Sequence, residues 1–246
     1  MTTYFVTTGI SLSNSSRCWK GAERWTEDGV NVDLDARRDH VVLELPQGGA
    51  IVRHLRCVRE RVCNEVGEDP GTMPSRARTV VEESFRVECW SRDRARLLPA
   101  ELATLFALRL EMKPGDRVVL PAGQTNRADT YLLQAMIDLL ATQGKEGLQG
   151  VTTLVTGPYA WEPTSSTAVQ EAVKRLFADS RCLRLPMEYV LTGGYKIVLM
   201  TLVHQLTLNQ VSTRLRYIHE DGDALITVEL QEGGIAGIRC DASVFA

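Results

Sequence analysis

The fold of this chain is decided by one stretch, Tyr189-Val190-Leu191-Thr192-Gly193-Gly194-Tyr195-Lys196. Its apolar start predicts the end of a buried strand, and the apolar run at 197–208 predicts a helix. The two glycines between these elements let the backbone come close to a ligand, because neither carries a Cβ atom. Lys196 adds a full positive charge to the partial charge of the helix N-terminus. The stretch therefore predicts an anion site, and a tight turn with a solvated lysine is the plainer alternative.

The N-terminus predicts a second strand end of the same kind. Residues 2–8 are rich in β-branched and aromatic side chains, and Gly9-Ile10-Ser11-Leu12-Ser13-Asn14 follows at once. In an open parallel sheet, ligands bind outside the carboxyl ends of the strands, where the strand order reverses. We therefore expect the Ser11 hydroxyl and the Asn14 amide to face the same anion as Lys196, whether or not they also cap a helix.

Two further segments complete a set of four motifs. Asp116-Arg117-Val118-Val119-Leu120-Pro121-Ala122-Gly123-Gln124-Thr125-Asn126 predicts a strand that ends in a polar loop, and Leu215-Arg216-Tyr217-Ile218-His219-Glu220 predicts a late strand. With TTGISLSN at 7–14 and LTGGYK at 191–196, these segments resemble, in the same order, motifs of the CRISPR-associated Rossmann-fold (CARF) family. The resemblance covers about residues 1–18 and 95–230, and no family motif falls within 19–94.

This resemblance implies a ligand and a set of site residues. CARF proteins bind cyclic oligoadenylates, the ring-shaped RNA messengers of type III CRISPR systems, as homodimers with the ring across the two-fold axis. By resemblance, Ser11 and Lys196 are the catalytic residues. The implied ligand contacts come from the turns after three strands: Thr8, Gly9, Ile10, Asn14, Gly123, Gln124, Thr125, Asn126, Thr192, Gly193, Gly194 and Tyr195.

The resemblance also bears on activity. Most CARF proteins carry an effector domain, often a HEPN ribonuclease with an R-x4-6-H motif. Here about fifty residues follow Lys196, which is too few for a HEPN helical bundle. The segment from Arg214 to His219 matches R-x4-H, but it lies in a predicted strand, so we interpret the match as a coincidence. The chain thus resembles stand-alone ring nucleases, which degrade the messenger. The expected messenger is cyclic tetra-adenylate. A non-cleaving sensor that acts through a partner is the alternative. A dinucleotide-binding oxidoreductase is disfavoured, because GxGxxG is absent after the first strand.

Cleavage by such a protein would need no metal. Each 3′–5′ linkage carries its own nucleophile, the adjacent 2′-hydroxyl, and in-line attack gives a cyclic 2′,3′-phosphate and a free 5′-hydroxyl. Lys196 and the backbone N–H groups of the glycine turn would stabilise the charge on the phosphoryl oxygens, and Ser11 would orient the 2′-hydroxyl. No strong general base is evident, so slow turnover is expected.

Composition narrows the function classes. A net charge of −3 argues against a protein that coats long nucleic acid. Neither an apolar run of spanning length nor a signal sequence is evident, so we expect a cytoplasmic protein without a membrane partner. Six cysteines without CxxC and four histidines without HExxH predict free thiols, no metal and no cofactor.

Alternating strand-like and helix-like segments predict one α/β domain over residues 1–246, a Rossmann-like open, mainly parallel sheet flanked by helices. Strands are predicted at 3–8, 41–45, 117–121, 151–156 and 188–191, and helices at 50–66, 99–110, 129–142, 167–178 and from 196. The stretches 214–220 and 224–230 predict a C-terminal β-hairpin, and 79–90 fits a helix or a strand. Residues 19–94 form an insertion after the first strand, expected to be a surface elaboration, with a cap over the site as the alternative.

Overall fold

The computed structural model describes residues 1–8, 18–19, 40–44, 50–54, 63–160, 166–182, 187–191, 196–219, 224–232, 234–242 and 244–245. The strands are β1 Thr3–Val6, β2 His40–Glu44, β3 Ala50–His54, β4 Arg117–Gly123, β5 Thr152–Tyr159, β6 Met187–Val190, β7 Thr213–His219, β8 Ala224–Gln231 and β9 Gly234–Asp241. The helices longer than two turns are α1 Met73–Ser84, α2 Ala100–Leu108, α3 Arg127–Thr142, α4 Ser166–Cys182 and α5 Lys196–Leu208.

The main sheet has the strand order β5-β4-β1-β6-β7-β8-β9. Strands β1, β4, β5, β6 and β7 run parallel to one another. From β1 the chain steps outward to β4 and β5, then crosses back over β1 to form β6 and β7. The strand order therefore reverses between β1 and β6, which is the switch point of a doubly wound sheet. This arrangement confirms the predicted α/β, Rossmann-like, mainly parallel sheet.

Both faces of the central strands β1 and β4 are buried, and each face of the sheet has its own core. Successive side chains of a strand point to opposite faces, so Tyr4 and Val6 join the core that includes α1 and α3. Phe5, Val119 and Tyr189 join the other core, where α4 and α5 pack. Strands covered on both sides read as nearly continuous apolar runs, which is why these segments were recognisable in the sequence.

The part of the insertion at 63–94 belongs to the main core, so its prediction as a surface elaboration was wrong. Helix α1 packs along α3 and buries Met73, Ala77 and Val81. The segment from 79, which the sequence left open, is helical to Ser84 and then forms a 3-10 helix at Val87–Cys89. A crossover between parallel strands must cover the sheet, and α1 and α2 do this between β1 and β4.

Two other predicted elements differ from the structure. The helix predicted at 50–66 is wrong in its first part, because Ala50–His54 pairs with His40–Glu44 as an antiparallel hairpin. The C-terminal hairpin of β7 and β8 is confirmed, but β9 adds a third antiparallel strand. Strand β9 is exposed over most of its length, and Ile235 and Ile238 are 66% and 68% exposed. Its sequence, GIAGIRCD, lacks the alternation that identifies a half-buried strand.

A network of ion pairs and hydrogen bonds around Arg216 links the strands β6, β7 and β8. Arg216 of β7 is fully buried, and its guanidinium donates to Glu188 of β6 (3.0 Å), to Glu111 (2.6 Å) and to Thr227 of β8 (3.0 Å). Burial by itself lowers the pKa of this guanidinium, but its hydrogen bonds to Glu111 and the charge of Glu188 more than offset that effect and raise it. Burial, and then the charge of Glu188, raises the pKa of Tyr4.

Candidate functional site

The carboxyl ends of β1 and β6 lie side by side at the switch point. The Thr7 N–H donates to the Val190 carbonyl (3.0 Å), and the Thr7 hydroxyl donates to the same oxygen (3.1 Å). One residue further, the Leu191 N–H donates to the backbone carbonyl of Arg216 in β7 (2.8 Å). These bonds extend the pairing of β1, β6 and β7 to Thr7 and Leu191. The two turns that the sequence predicts at 9–14 and 192–195 would therefore start from adjacent positions.

On the other side of β1, the side chain of Asn126 forms hydrogen bonds to the ends of both β1 and β4. Its Oδ1 accepts from the Gly123 N–H (2.7 Å), and its Nδ2 donates to the Thr8 carbonyl (2.9 Å) and to the Thr8 hydroxyl (3.2 Å). Asn126 is buried, so these hydrogen bonds take the place of those that its amide oxygen and amide nitrogen would form with water. Asn126 also immediately precedes α3, and its carbonyl accepts the Thr130 N–H (3.0 Å) as the helix begins.

The hydroxyl groups of Thr8 and Thr130 complete this buried polar cluster. Thr8 donates to the Pro121 carbonyl (3.1 Å), Thr130 donates to the Asn126 carbonyl (3.0 Å), and the two hydroxyl oxygens lie 3.1 Å apart. Both side chains are almost completely buried. A network in which the members satisfy one another is rigid, because any movement leaves a polar atom without a partner. The cluster therefore fixes where the turn after β1 departs.

The loop after β4 is exposed and is supported by the end of β5. Gln124 and Thr125 are exposed, and the Gln124 N–H donates to the Tyr159 carbonyl (3.1 Å). The Tyr159 hydroxyl donates to Asp179 of α4 (2.9 Å), and burial raises the pKa of this tyrosine to about 12. Next to it, Gly157 has φ +104°, and a Cβ there would lie 2.7 Å from the Ala122 carbonyl oxygen. Only glycine allows β4 and β5 to approach so closely at this edge.

The predicted site residues divide into three groups. Thr8, Gly123 and Asn126 are brought together, but their polar atoms bond to one another, so they position the site and are not free to bind a ligand through those atoms. Gln124 and Thr125 are exposed at the carboxyl edge and remain predicted ligand contacts. The remaining residues lie outside the described part of the chain: Gly9, Ile10, Ser11, Asn14, Thr192, Gly193, Gly194 and Tyr195.

Of Lys196, the structure describes the backbone, which forms the first residue of α5. Because α5 follows the carboxyl end of β6, its N-terminus lies at the same edge as the Thr8–Asn126 cluster. The helix N-terminus and its partial positive charge are thus at the switch point, as the sequence predicted. The position of the lysine side chain stays a prediction.

Sequence reasoning missed Thr7 and Thr130. Thr7 lies in the strand predicted at 3–8, yet its hydroxyl donates to the Val190 carbonyl. Thr130 lies four residues after Asn126, one helical turn along α3, and this spacing is the signal that the two share a face. The contact of Thr7 with Val190 and that of Thr130 with Thr8 were not recoverable from spacing, because each joins residues more than a hundred positions apart in the chain.

Asn126→Ala is expected to lower the free energy of unfolding by about 1–3 kcal/mol, because it leaves the buried Gly123 N–H and Thr8 carbonyl without partners. Urea denaturation measures this change. The matched control is Asn209→Ala, whose exposed amide donates to Gln205 (2.8 Å) and whose loss should change stability by less than about 0.5 kcal/mol. Equal effects of the two substitutions would contradict a structural role of the Asn126 cluster.

Within the described residues, no group of three or more His, Cys, Asp or Glu side chains is placed to hold a metal ion. The helices of that same part of the chain include none that is long and apolar enough to cross a membrane. A scan against protein-family models finds no match for this chain, and neither does a search of curated proteins.

Proposed function

We propose that this chain is a CARF-family ring nuclease, which binds cyclic oligoadenylate and cleaves it by attack of a ribose 2′-hydroxyl on the adjacent phosphate. The observation that carries the proposal is the adjacency of the β1 and β6 ends at the switch point, with the N-terminus of α5 immediately after β6. The predicted serine-containing turn and the predicted glycine-lysine turn follow these two strand ends in the sequence. The adjacency of the ends supports a site in which both turns act on one phosphate.

The chemistry requires geometry more than strong acids or bases. The 2′-oxygen, the phosphorus and the leaving 5′-oxygen must be held in line, and restricting a reactant to such a geometry accounts for several kcal/mol of a barrier. Lys196 and the N–H groups of the α5 N-terminus stabilise the negative charge that builds on the phosphoryl oxygens. Ser11 hydrogen-bonds the attacking hydroxyl or the phosphate and keeps it oriented.

The buried cluster around Asn126 supplies the rigidity that such positioning needs. Thr8 directly precedes Gly9 and lies three residues before Ser11, and its carbonyl and hydroxyl both accept from the Asn126 amide. The start of the serine-containing turn is therefore fixed against β4 on one side and, through Thr7, against β6 on the other. A displacement of the reacting groups by about 1 Å can cost a factor of about 100 in rate.

The exposed face of α5 supports the homodimer that the proposal includes. Residues 197–208 contain no Asp, Glu, Lys or Arg, yet Met200 and Leu208 are 68% and 62% exposed. With His204, which is also exposed, they recur every four residues along one side of the helix. An uncharged helix face of this kind fits a second copy of the chain. A two-fold axis beside α5 would bring both Lys196 residues to one symmetric ligand.

Cleavage is expected to persist in excess EDTA, because the nucleophile is the hydroxyl of the substrate itself. The measurement follows cyclic tetra-adenylate and cyclic hexa-adenylate by chromatography after incubation with the purified protein, with and without chelator. A linear product ending in a 2′,3′-cyclic phosphate is expected. Loss of activity on chelation, with recovery on addition of Mg²⁺ or Mn²⁺, would contradict the proposed mechanism.

A ring with 2′-deoxy riboses is expected to bind but to resist cutting, because the in-line nucleophile is gone. Calorimetry with this uncut ring should give one ring per two chains, since a symmetric ligand matches a two-fold interface. Cleavage of the 2′-deoxy ring would exclude attack by the 2′-hydroxyl. One ring per chain would exclude a shared site. An unmodified ring that binds at the half ratio and is never cut would establish the second candidate, a non-cleaving sensor that signals through a partner.

A further inference from the structure

A cavity lies at the opposite edge of the sheet, where β4 and β5 begin. It is half open to solvent and has a volume of about 410 Å³ between the segment before α2, the end of α2 and the loop that follows α3. This volume lies within the range of sites that bind small organic molecules. Apolar side chains form part of its lining: Trp90, Phe106 and Leu110. None of the residues named for the candidate functional site lines this cavity, so it is a separate feature of the molecule.

Among the charged residues that line this cavity, Arg109 is the buried one. Its side chain is only 8% exposed, its guanidinium carbon lies 4.0 Å from the centre of the Phe106 ring, and its Nη1 donates to the Phe106 carbonyl (2.9 Å). Its Nε donates to Glu146 (3.3 Å), a carboxylate that is 65% exposed. In the described part of the chain, Nη2 has no hydrogen-bond partner, so the guanidinium keeps donors for a ligand.

Arg109 is held in this position by close packing. Gly147 has φ +81°, and a Cβ there would lie 2.4 Å from the Arg109 Cα. The neighbouring carbonyl of Glu146 accepts the Trp90 indole N–H (3.3 Å), which ties the loop after α3 to the opposite wall. A buried arginine fixed by backbone contacts is a preorganised anion-binding group, because little conformational entropy is lost when a ligand binds.

The charges around the cavity indicate what kind of anion it accepts. Arg92, Arg109 and Lys145 carry three positive charges, and Glu146 carries one negative charge. The lining therefore has a net charge of about +2, which matches a phosphate monoester with its charge of about −1.5 to −2 near pH 7 better than a carboxylate with −1. Leu110, which is 73% exposed, gives the cavity an apolar surface beside these cationic groups, and a flat ring attached to the phosphate can pack against it.

We propose that this cavity binds an organic phosphate monoester that carries a flat ring and has the size of a nucleoside monophosphate. The phosphate contacts Arg109 and Lys145, and the ring packs beside Leu110 and the edge of Trp90. The site is independent of the carboxyl edge of the sheet, so its occupancy does not require Lys196 or the proposed cleavage activity.

The proposal is tested by titrating the full chain with AMP in a calorimeter and measuring the binding affinity. Lys145→Glu and Leu110→Glu are each expected to weaken AMP binding by at least about tenfold, because a carboxylate in the cavity repels the phosphate. Leu110 is 73% exposed, so its substitution removes no core packing. Lys174→Glu, a charge reversal at an exposed lysine of α4, is the matched control and should leave AMP binding unchanged. Lys196→Ala should also leave it unchanged.

Titrations with adenosine and with inorganic phosphate measure separately how much the ring and the phosphate of the ligand contribute to binding. Each should bind at least tenfold more weakly than AMP, because adenosine lacks the phosphate and inorganic phosphate lacks the ring. The proposal is overturned if AMP does not bind, if AMP binding is lost in Lys196→Ala but kept in Lys145→Glu, or if inorganic phosphate binds as tightly as AMP. The second of these outcomes would move the nucleotide to the carboxyl edge and leave the proposed function intact.

Discussion

Lys196→Ala is expected to slow cleavage of cyclic oligoadenylate by about 100-fold or more in single-turnover measurements. The reason is that one charge-stabilising donor at a phosphoryl transition state contributes about 3 kcal/mol. Binding of the uncut ring should weaken less, because the negative charge on the phosphoryl oxygens is greatest in the transition state. The residue begins α5 at the switch point, so the substitution removes a charge without disturbing the strand pairing of β1 and β6.

The matched control for this experiment is Lys174→Ala. Lys174 is an exposed lysine of α4 whose ammonium lies 2.8 Å from Glu171, so its removal changes the net charge equally without touching the carboxyl edge. Its cleavage rate should match that of the unmodified protein. An unchanged single-turnover rate in Lys196→Ala would remove this lysine from the mechanism, and equal losses in both variants would point to a general effect of charge on binding.

Arg216→Ala is expected to lower the free energy of unfolding by about 3–5 kcal/mol, the largest stability effect that we predict. Removing the guanidinium leaves Glu188, whose side chain is 14% exposed, with only the exposed Arg214 (3.3 Å) as ion-pair partner in the described residues. Loss of the buried partner of a largely buried charge is strongly destabilising. It also removes the bonds that join β7 to Glu111 beyond α2 and to Thr227 of β8. Urea denaturation monitored by circular dichroism gives the change.

Arg239→Ala is the control, since Arg239 of β9 pairs with Asp241 at 3.1 Å while its side chain is 57% exposed. Exposed pairs of this kind contribute at most about 1 kcal/mol, because water and salt screen the charges. A loss below 1 kcal/mol in Arg216→Ala would mean that the network does not stabilise the fold. Arg216→Met with Glu188→Gln should recover part of the loss, because no unpaired charge then stays buried.

The sequence predicted the elements whose signal is local. The turn at 191–196 combines a strand end, two glycines and an apolar helix, and the structure has β6 ending at Val190 and α5 beginning at Lys196. The helices α3 and α4 were predicted to within a few residues, because their apolar side chains recur at helical spacing. The hairpin of β2 and β3 was missed in part, since apolar residues at 51, 55, 58 and 62 have the same spacing as a helix.

The sequence by itself determined the class of fold, and it predicts the two turns from which a site at the carboxyl edge would be built. Hydrophobic periodicity and glycine placement act over a few residues, so they can be read without knowing what lies nearby in space. Only the tertiary structure decided that β1 lies between β4 and β6, which makes Thr8 and Asn126, 118 residues apart, hydrogen-bonded neighbours. It also decided that Arg216 is buried between Glu188 and Glu111, because burial of a charge depends on strand order and register rather than on residue type.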